Sequence, residues 1–367
     1  MKRWIKALIT TIIVIISIII IILLILRFFP SFGGQSSSKD EKDYAARSAV
    51  FKNGKFEDLM GSFSDNAVQY PNTVSDKGAT PTDPIPVRKP SFDEADPEDV
   101  SITWMGHSTV LIQMSGKNIL IDPIFSDSSS PVGFAGPKRF SEPPVTFEEL
   151  PKLDYILITH DHFDHLDMAA IKQLDDKTDR FIVPLGIEND LERWGVSSDK
   201  ISAVAWWESE KTDDLEIVCA PSKHYSMRNM MDRDETLWCS WIFINDSCRI
   251  YDTGDTGYGD HFKEIYERYG SFDLVLSDGA QYNRQWANVH MFPEQEAQAM
   301  EDMHSTVLWP VHWAAYSLAP HAWDDPAERI VTAGEEKGLD VVTPYIGETV
   351  KLSEISDHKE RWWKDIR

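Results

Sequence analysis

Three histidines and two aspartates fall within six residues, His160-Asp161-His162-Phe163-Asp164-His165, immediately after the apolar run Tyr155-Ile156-Leu157-Ile158-Thr159. Imidazole and carboxylate donors in such density suit zinc or a similar divalent ion. Alternation along the loop places His160 and His162 on one side as paired ligands. Asp164 and His165 sit where a helix is predicted to begin and turn toward a second ion. The plain alternative, a solvated polar loop, does not account for this much metal-binding chemistry directly behind a buried strand.

One loop cannot supply two ions, and further donors stand at the ends of later apolar runs. Residues 217–224 end on His224, and residues 307–312 end on His312. Residues 249–257 carry Asp255 between Gly254 and Gly257, where a tight turn can aim a carboxylate; Asp252 competes for the same role. A single strand-end histidine is more often a satisfied structural residue. Three strand-end donors downstream of the first cluster shift that judgement.

The elements that must position these residues are short strands separated by turns. Strands are predicted at 102–104, 109–114, 118–121, 155–158, 181–183, 217–220, 237–244, 249–251, 274–276 and 307–311. Helices are predicted at 165–174, 261–269, 293–304 and 326–337, with Pro293 and Pro326 in first turns. Early strands have antiparallel character and later ones alternate with helices, which suggests two packed sheets with helices outside. Cys219, Cys239 and Cys248 are odd in number and form no C-x-x-C pair, so they read as buried thiols rather than a zinc ribbon or disulfide scaffold.

The N-terminus carries a different signal. Ala7 to Leu26 is uncharged and almost solid Ile and Leu. At ~1.5 Å per residue it reaches about 30 Å, enough to span a bilayer. A cleavable signal peptide has a shorter apolar region of ~7–15 residues and an A-x-A-like site, so an uncleaved anchor is expected. Lys2, Arg3 and Lys6 precede the span and only Arg27 closely follows it, which predicts a cytoplasmic N-terminus and an extracytoplasmic domain. Residues 1–30 then form tip and anchor, 31–46 a flexible tether, 47–98 a poorly defined extension, and 99–367 the catalytic domain. Phe51, Phe56, Leu59, Met60 and Phe63 suggest a short amphipathic helix in that extension. The chain's formal charge is −24, and removing the four cations of its first 30 residues leaves −28 on the remainder. Such a field repels phosphate backbones, so no nucleic acid partner is expected.

The order H-x-H-x-D-H, single His, Gly-Asp-Thr-Gly, late His resembles the metallo-β-lactamase superfamily. Trp104-Met-Gly-His-Ser-Thr-Val110, Asp122-Pro-Ile-Phe125, Gly136-Pro-Lys-Arg-Phe140, Pro221-Ser-Lys-His224 and His312-Trp313 extend the resemblance, over about residues 101–345, to the N-acyl-phosphatidylethanolamine-hydrolysing phospholipases D and their bacterial relatives. The resemblance implies an α/β fold, a four-layer αββα sandwich with a di-metal site at one edge. It implies two Zn2+ or similar ions, one held by His160, His162 and His224, the other by Asp164, His165 and His312, with Asp255 rather than Asp252 bridging. His107 is then a supporting residue. Two such ions activate water toward hydroxide near neutral pH. Asp164 and Asp255 are the expected catalytic carboxylates, and His290 matches a family histidine that binds the substrate phosphate or protonates the leaving group. His321 is a weaker substrate-binding candidate. Asp278 is an acid near the site that the animal enzymes lack. The expected substrate is a lipid or lipid-like phosphodiester beside the membrane. Lactone or ester hydrolysis is the first alternative and a nuclease the second; a homodimer is left open.

Overall fold

The computed structural model describes residues 2–58, 78–92 and 99–366. Helix α1 (Lys2–Phe28) contains the apolar run, and its described side chains are exposed. Helix α2 (Ser38–Arg47) and the hairpin β1 (Phe51–Lys52) and β2 (Lys55–Phe56) follow. The first half of the remaining chain comprises β3 (Ser101–Trp104), β4 (Val110–Met114), β5 (Lys117–Ile121), β6 (Leu153–Leu157), α3 (Met168–Leu174), β7 (Thr178–Pro184), α4 (Glu188–Trp194) and β8 (Ile201–Val204). The second comprises β9 (Ser209–Lys211), β10 (Glu216–Ala220), β11 (Ser240–Ile244), β12 (Arg249–Asp252), α5 (His261–Tyr269), β13 (Leu274–Asp278), α6 (Pro293–Asp302), β14 (Val307–Val311), α7 (Asp325–Lys337) and β15 (Asp340–Val341). Strand β16 (Thr349–Lys351) returns to the first sheet.

The two halves have the same logic. One sheet runs β16-β3-β4-β5-β6-β7-β8 and the other β15-β14-β13-β12-β11-β10-β9. Each starts antiparallel and turns parallel at its fourth strand, at β5–β6 and at β12–β13. Period-2 alternation explains the layering. Ile102, Trp104, Ile112 and Ile121 share a core with Val218, Trp241, Phe243 and Leu276 of the other sheet. Leu111, Leu120, Ile156 and Phe181 point the opposite way, onto Ile171 and Leu174 of α3 and Leu191 of α4. Phe262, Met300 and Ile330 from α5, α6 and α7 cover the outer face of the second sheet. This is the expected αββα sandwich.

The N-terminal segment departs from expectation. Residues 31–46 are not a loose tether. Their Gly-Gln-Ser-rich composition reads as a linker, but Ser37 caps α2 and forms a capping box with Asp40. Gly34 N donates to Asp190 Oδ1 at 2.7 Å, and a Cβ on Gly33 would fall 1.9 Å from the same oxygen. Tyr44 is buried against Phe51, Phe56 and Leu185 and donates to Glu188. Phe51 and Phe56, expected on a helix, pair across the hairpin β1–β2 instead. Leu59, Met60 and Phe63 lie outside the described residues. The helix expected at 165–174 starts only at Met168. Asp167 caps it through Ala169 N and also accepts from Phe125 N and Ser126 N, while residues 162–166 form a single turn closed by Leu166 N to His162 O at 2.8 Å.

Candidate metal centre

The first cluster forms where β6 runs out. Asp122, just past β5, accepts from Thr159 N at 2.8 Å and from Thr159 Oγ1 at 2.5 Å. It also accepts from His165 Nδ1 at 2.7 Å. The Thr159 hydroxyl in turn accepts from His160 Nδ1 at 3.0 Å. Below the loop, buried Arg228 donates to Asp161 O and Leu166 O, while Asp161 accepts from Met227 N and Thr236 Oγ1. Asp161 therefore fixes the loop and does not face the cluster.

The later strands deliver the remaining donors. His224, after β10, donates its Nδ1 proton to Val289 O at 2.9 Å. His312, after β14, takes a φ of +67°, held by His312 N to His107 O at 2.8 Å, and donates Nδ1 to Asp278 at the end of β13. Asp255 follows Gly254 (φ +51°), where a Cβ would stand 2.7 Å from Cys239 O. Asp252 supports this turn by accepting from Gly254 N at 2.9 Å, and it belongs to none of the donor clusters. Burial pushes its carboxyl up to about 7.

Four histidines thus commit Nδ1 outward, to a threonine hydroxyl, a carbonyl or a carboxylate, and turn Nε2 inward. His160 Nε2 and His224 Nε2 stand 2.9 and 3.2 Å from His162 Nδ1. His165 Nε2 and His312 Nε2 face each other at 3.2 Å, with Asp164 Oδ2 3.1 Å from the latter. The potential ligand atoms of His160, His162, His224 and Asp255 lie within 4.8 Å of one another, as do those of His107, Asp164, His165 and His312. Asp255 sits between: Oδ2 is 3.7 Å from His160 Nε2 and from His224 Nε2, and Oδ1 is 3.2 Å from His165 Nε2 and 3.4 Å from His312 Nδ1. All seven residues expected as ligands are therefore gathered at one place. His107 donates Nε2 to Asp164 Oδ2 at 3.0 Å, a supporting contact that also makes it part of the second group.

The electrostatics call for a cation. Burial, joined by neighbouring imidazoles, holds His160 and His224 well below the usual histidine range. Burial takes His162 and His107 down to about 3. Burial also opposes charge on His165 and His312, yet the Asp255 carboxylate and its acidic neighbours outweigh it, raising His165 well above the range and His312 to about 10. Facing nitrogen lone pairs repel, and the acids beside them require positive charge.

A cleft of about 340 Å³ opens on this centre, lined by His162, Asp164, Asp255, His290 and His312 together with Tyr225 and Trp286. His290 faces it, with Nδ1 3.0 Å from Asp278 Oδ2 and Nε2 3.9 Å from Asp255 Oδ2. His321 does not line the cleft. It is stacked on Tyr282 at 4.4 Å and donates Nδ1 to Ala322 O, so its expected role in substrate binding is corrected to packing under α7. The sequence reading missed Asp122 as the orienter of Thr159 and His165. Its signal was available, an acid at the end of the apolar run Ile119-Leu120-Ile121.

Comparison with known proteins defines the class. The model of the beta-lactamase superfamily domain matches residues 117–313, and the chain belongs to that superfamily of metal-dependent hydrolases. A protein of Mycobacterium tuberculosis is 40% identical over 274 residues, covering 74% of this chain and 73% of its own length. The N-acyl-phosphatidylethanolamine-hydrolyzing phospholipase D 1 of Caenorhabditis elegans is 31% identical over 303 residues, covering 78% of this chain and 85% of its own. Among solved structures, a metallo hydrolase from Ignicoccus hospitalis superposes with a TM-score of 0.54 at 23% identity, covering 69% of this chain and 97% of that one.

Proposed function

We propose that this chain is a two-metal phosphodiesterase acting on a phospholipid or similar diester, and that α1 keeps it at a membrane. The observation that carries the metal reading is Asp255, whose Oδ2 faces His160 Nε2 and His224 Nε2 while its Oδ1 faces His165 Nε2 and His312 Nδ1. His160, His162 and His224 would hold one ion, and Asp164, His165 and His312 the other, with Asp255 shared. The donor set, nitrogen-rich with carboxylates, fits zinc or a similar divalent ion. When bound, such a pair lowers the pKa of water toward ~7 and offsets charge developing on phosphoryl oxygens.

This chain's own residues then divide the remaining work. Asp164, held by His107, lines the cleft where it can accept a proton from an attacking water. Asp278 accepts from His290 Nδ1 and so fixes the tautomer that presents Nε2 to the cleft. From there His290 binds a phosphoryl oxygen or delivers a proton to the departing alkoxide. The similarity to a relative named as hydrolysing N-acyl-phosphatidylethanolamine supports a lipid diester, and the −24 charge disfavours nucleic acid.

The anchor reading rests on continuity. The stretch Arg3–Ile22, charged only at Arg3 and Lys6, is long and apolar enough to cross a membrane. The chain leaving α1 is bound to the domain: Arg193 donates to Phe28 O, Trp194 Nε1 to Pro30 O at 2.8 Å, and Arg228 Nε to Ser31 O at 2.9 Å. Cleavage near residue 33 would strip buried donors of their acceptors, whereas a retained anchor keeps them. The Lys/Arg asymmetry about the span supports an orientation with the domain outside the cytoplasm.

The test assays the purified full chain side by side on N-acyl-phosphatidylethanolamine, a water-soluble diester and a lactone, with metal content measured by elemental analysis. Two ions per chain and preference for diesters support the proposal. A single ion, unchanged by His312→Ala, removes the second site; lactone turnover far above any diester moves the enzyme to ester chemistry.

A further inference from the structure

Outside α1, the large apolar side chains exposed among the described residues are Phe134 (85%), Met230 (82%) and Met231 (62%). All three stand on loops that also line the catalytic cleft, which Ser129 enters from the first loop and Tyr225 and Met227 from the second. Exposed methionines at adjacent positions are unusual on a chain this acidic, where solubility is served by charge.

The methionine turn is built to project them. Asp232 points inward, accepting from Arg228 N and Asn229 N, and Asn229 Oδ1 accepts from Met231 N at 2.8 Å. The polar groups of the turn satisfy one another, and its tip is left apolar. A second cavity, about 430 Å³, lies between this turn and α1, with Met231, Asn229 and Glu235 on one wall and Ile20, Leu24 and Arg27 on the other. Arg27 is the charged residue that closes the apolar run. Leu24 and Ile20 lie three and seven residues before it, about 5–10 Å further along the helix axis at ~1.5 Å per residue. That is the depth, about 5–10 Å, at which interfacial apolar groups sit beneath lipid headgroups.

From this geometry we infer that the Met230–Met231 turn inserts into the outer acyl region of the bilayer spanned by α1, with Phe134 at the opposite rim, so that the catalytic cleft opens directly against the lipid surface. The inference rests on α1 being a retained anchor. Its occupant is acyl chain rather than anionic headgroup, since a chain of net charge −24 gains nothing from a negative surface. A lipid diester then reaches the metal centre by rising a short way from the bilayer, without passing through water.

The test uses the full chain in phosphatidylcholine nanodiscs. The three native cysteines are buried, so Met231→Cys carries an environment-sensitive fluorophore, with Ser247→Cys in the hairpin between β11 and β12, at the sheet end remote from the site, as reference. Lipids brominated near the headgroup end of the acyl chain should quench the label at 231 and not at 247, while aqueous iodide should quench 247 several-fold more. Equal access of iodide to both positions overturns the inference. In a second arm, the double variant Met230→Glu/Met231→Glu should lose about tenfold on a diester presented in the bilayer, with its rate on bis(p-nitrophenyl) phosphate unchanged. An equal loss on both substrates counts against insertion. Failure of the wild type on both diesters defeats the phosphodiesterase reading alone, and the quenching arm still decides the membrane contact.

Discussion

Asp278 makes two contacts that no count of ligands requires. It takes the Nδ1 proton of His312 and the Nδ1 proton of His290, and so ties a residue of the donor cluster to one facing the cleft. Burial opposes its charge, but the two imidazoles hold the carboxyl well below the usual range, so it accepts at any working pH. Asp278→Asn keeps the shape and weakens both orientations; kcat should fall by about 10–100-fold, the usual effect of removing an outer partner of a metal-bound histidine, with KM nearly constant. His290→Ala should leave metal content intact and lower diester turnover by ~10²–10⁴-fold. Comparing the two variants by elemental analysis separates a metal effect from a substrate effect. If His290→Ala loses metal, that histidine belongs to the centre and not to the substrate. Asp255→Asn should nearly abolish turnover and reduce binding of both ions, because its two oxygens face both groups.

At the scale of elements, the clustered donors share one grammar: a buried strand ends and the next residues carry the donor. That grammar is visible in sequence because hydrophobic alternation and His/Asp placement are both local. Asp255, His224 and His312 were legible for this reason, and so was the pairing of two sheets. What local pattern could not show was where a polar segment packs. Gln35-Ser36-Ser37-Ser38 reads as a linker, yet Ser37 is a helix cap and Tyr44 fills a hole beside Leu185 and Trp238. His321 had the right residue type for the site but the wrong face, since only tertiary packing stacks it on Tyr282. Asp122 was overlooked because its partners, Thr159 and His165, are some 40 residues away. Gly254 tests how tightly an element must be built. Its φ is +51° and its Cα faces Cys239 O and Thr159 Cγ2, so Gly254→Ala adds both backbone strain and a clash. The variant should lose about 1–3 kcal/mol of stability and displace Asp255. Thermal unfolding together with metal content reads both effects, and a variant as active and as stable as wild type would refute this account of the turn.

The whole molecule joins an apolar helix, an acidic domain and a centre that needs positive charge. Without metal that charge must come from protons, and His312, raised to about 10 by Asp255 and Asp278 against the effect of burial, is a place where one is held. In the unfolded chain a histidine titrates near ~6.5. The folded, metal-stripped protein therefore binds an extra proton between about 6.5 and about 10, and its stability falls as pH rises through that window. Bound metal replaces the proton and removes the dependence. Chelator-treated full chain in detergent should accordingly show a Tm that drops between pH 6.5 and pH 10, and metal-loaded protein should show a higher Tm without that slope. Restoring zinc should recover the loaded profile, because the donors are already gathered by the sheets and need no refolding to accept it. Parallel pH profiles for stripped and loaded protein would mean that the inward-facing histidines carry no exchangeable charge, and the cation-requiring centre would then have to be abandoned.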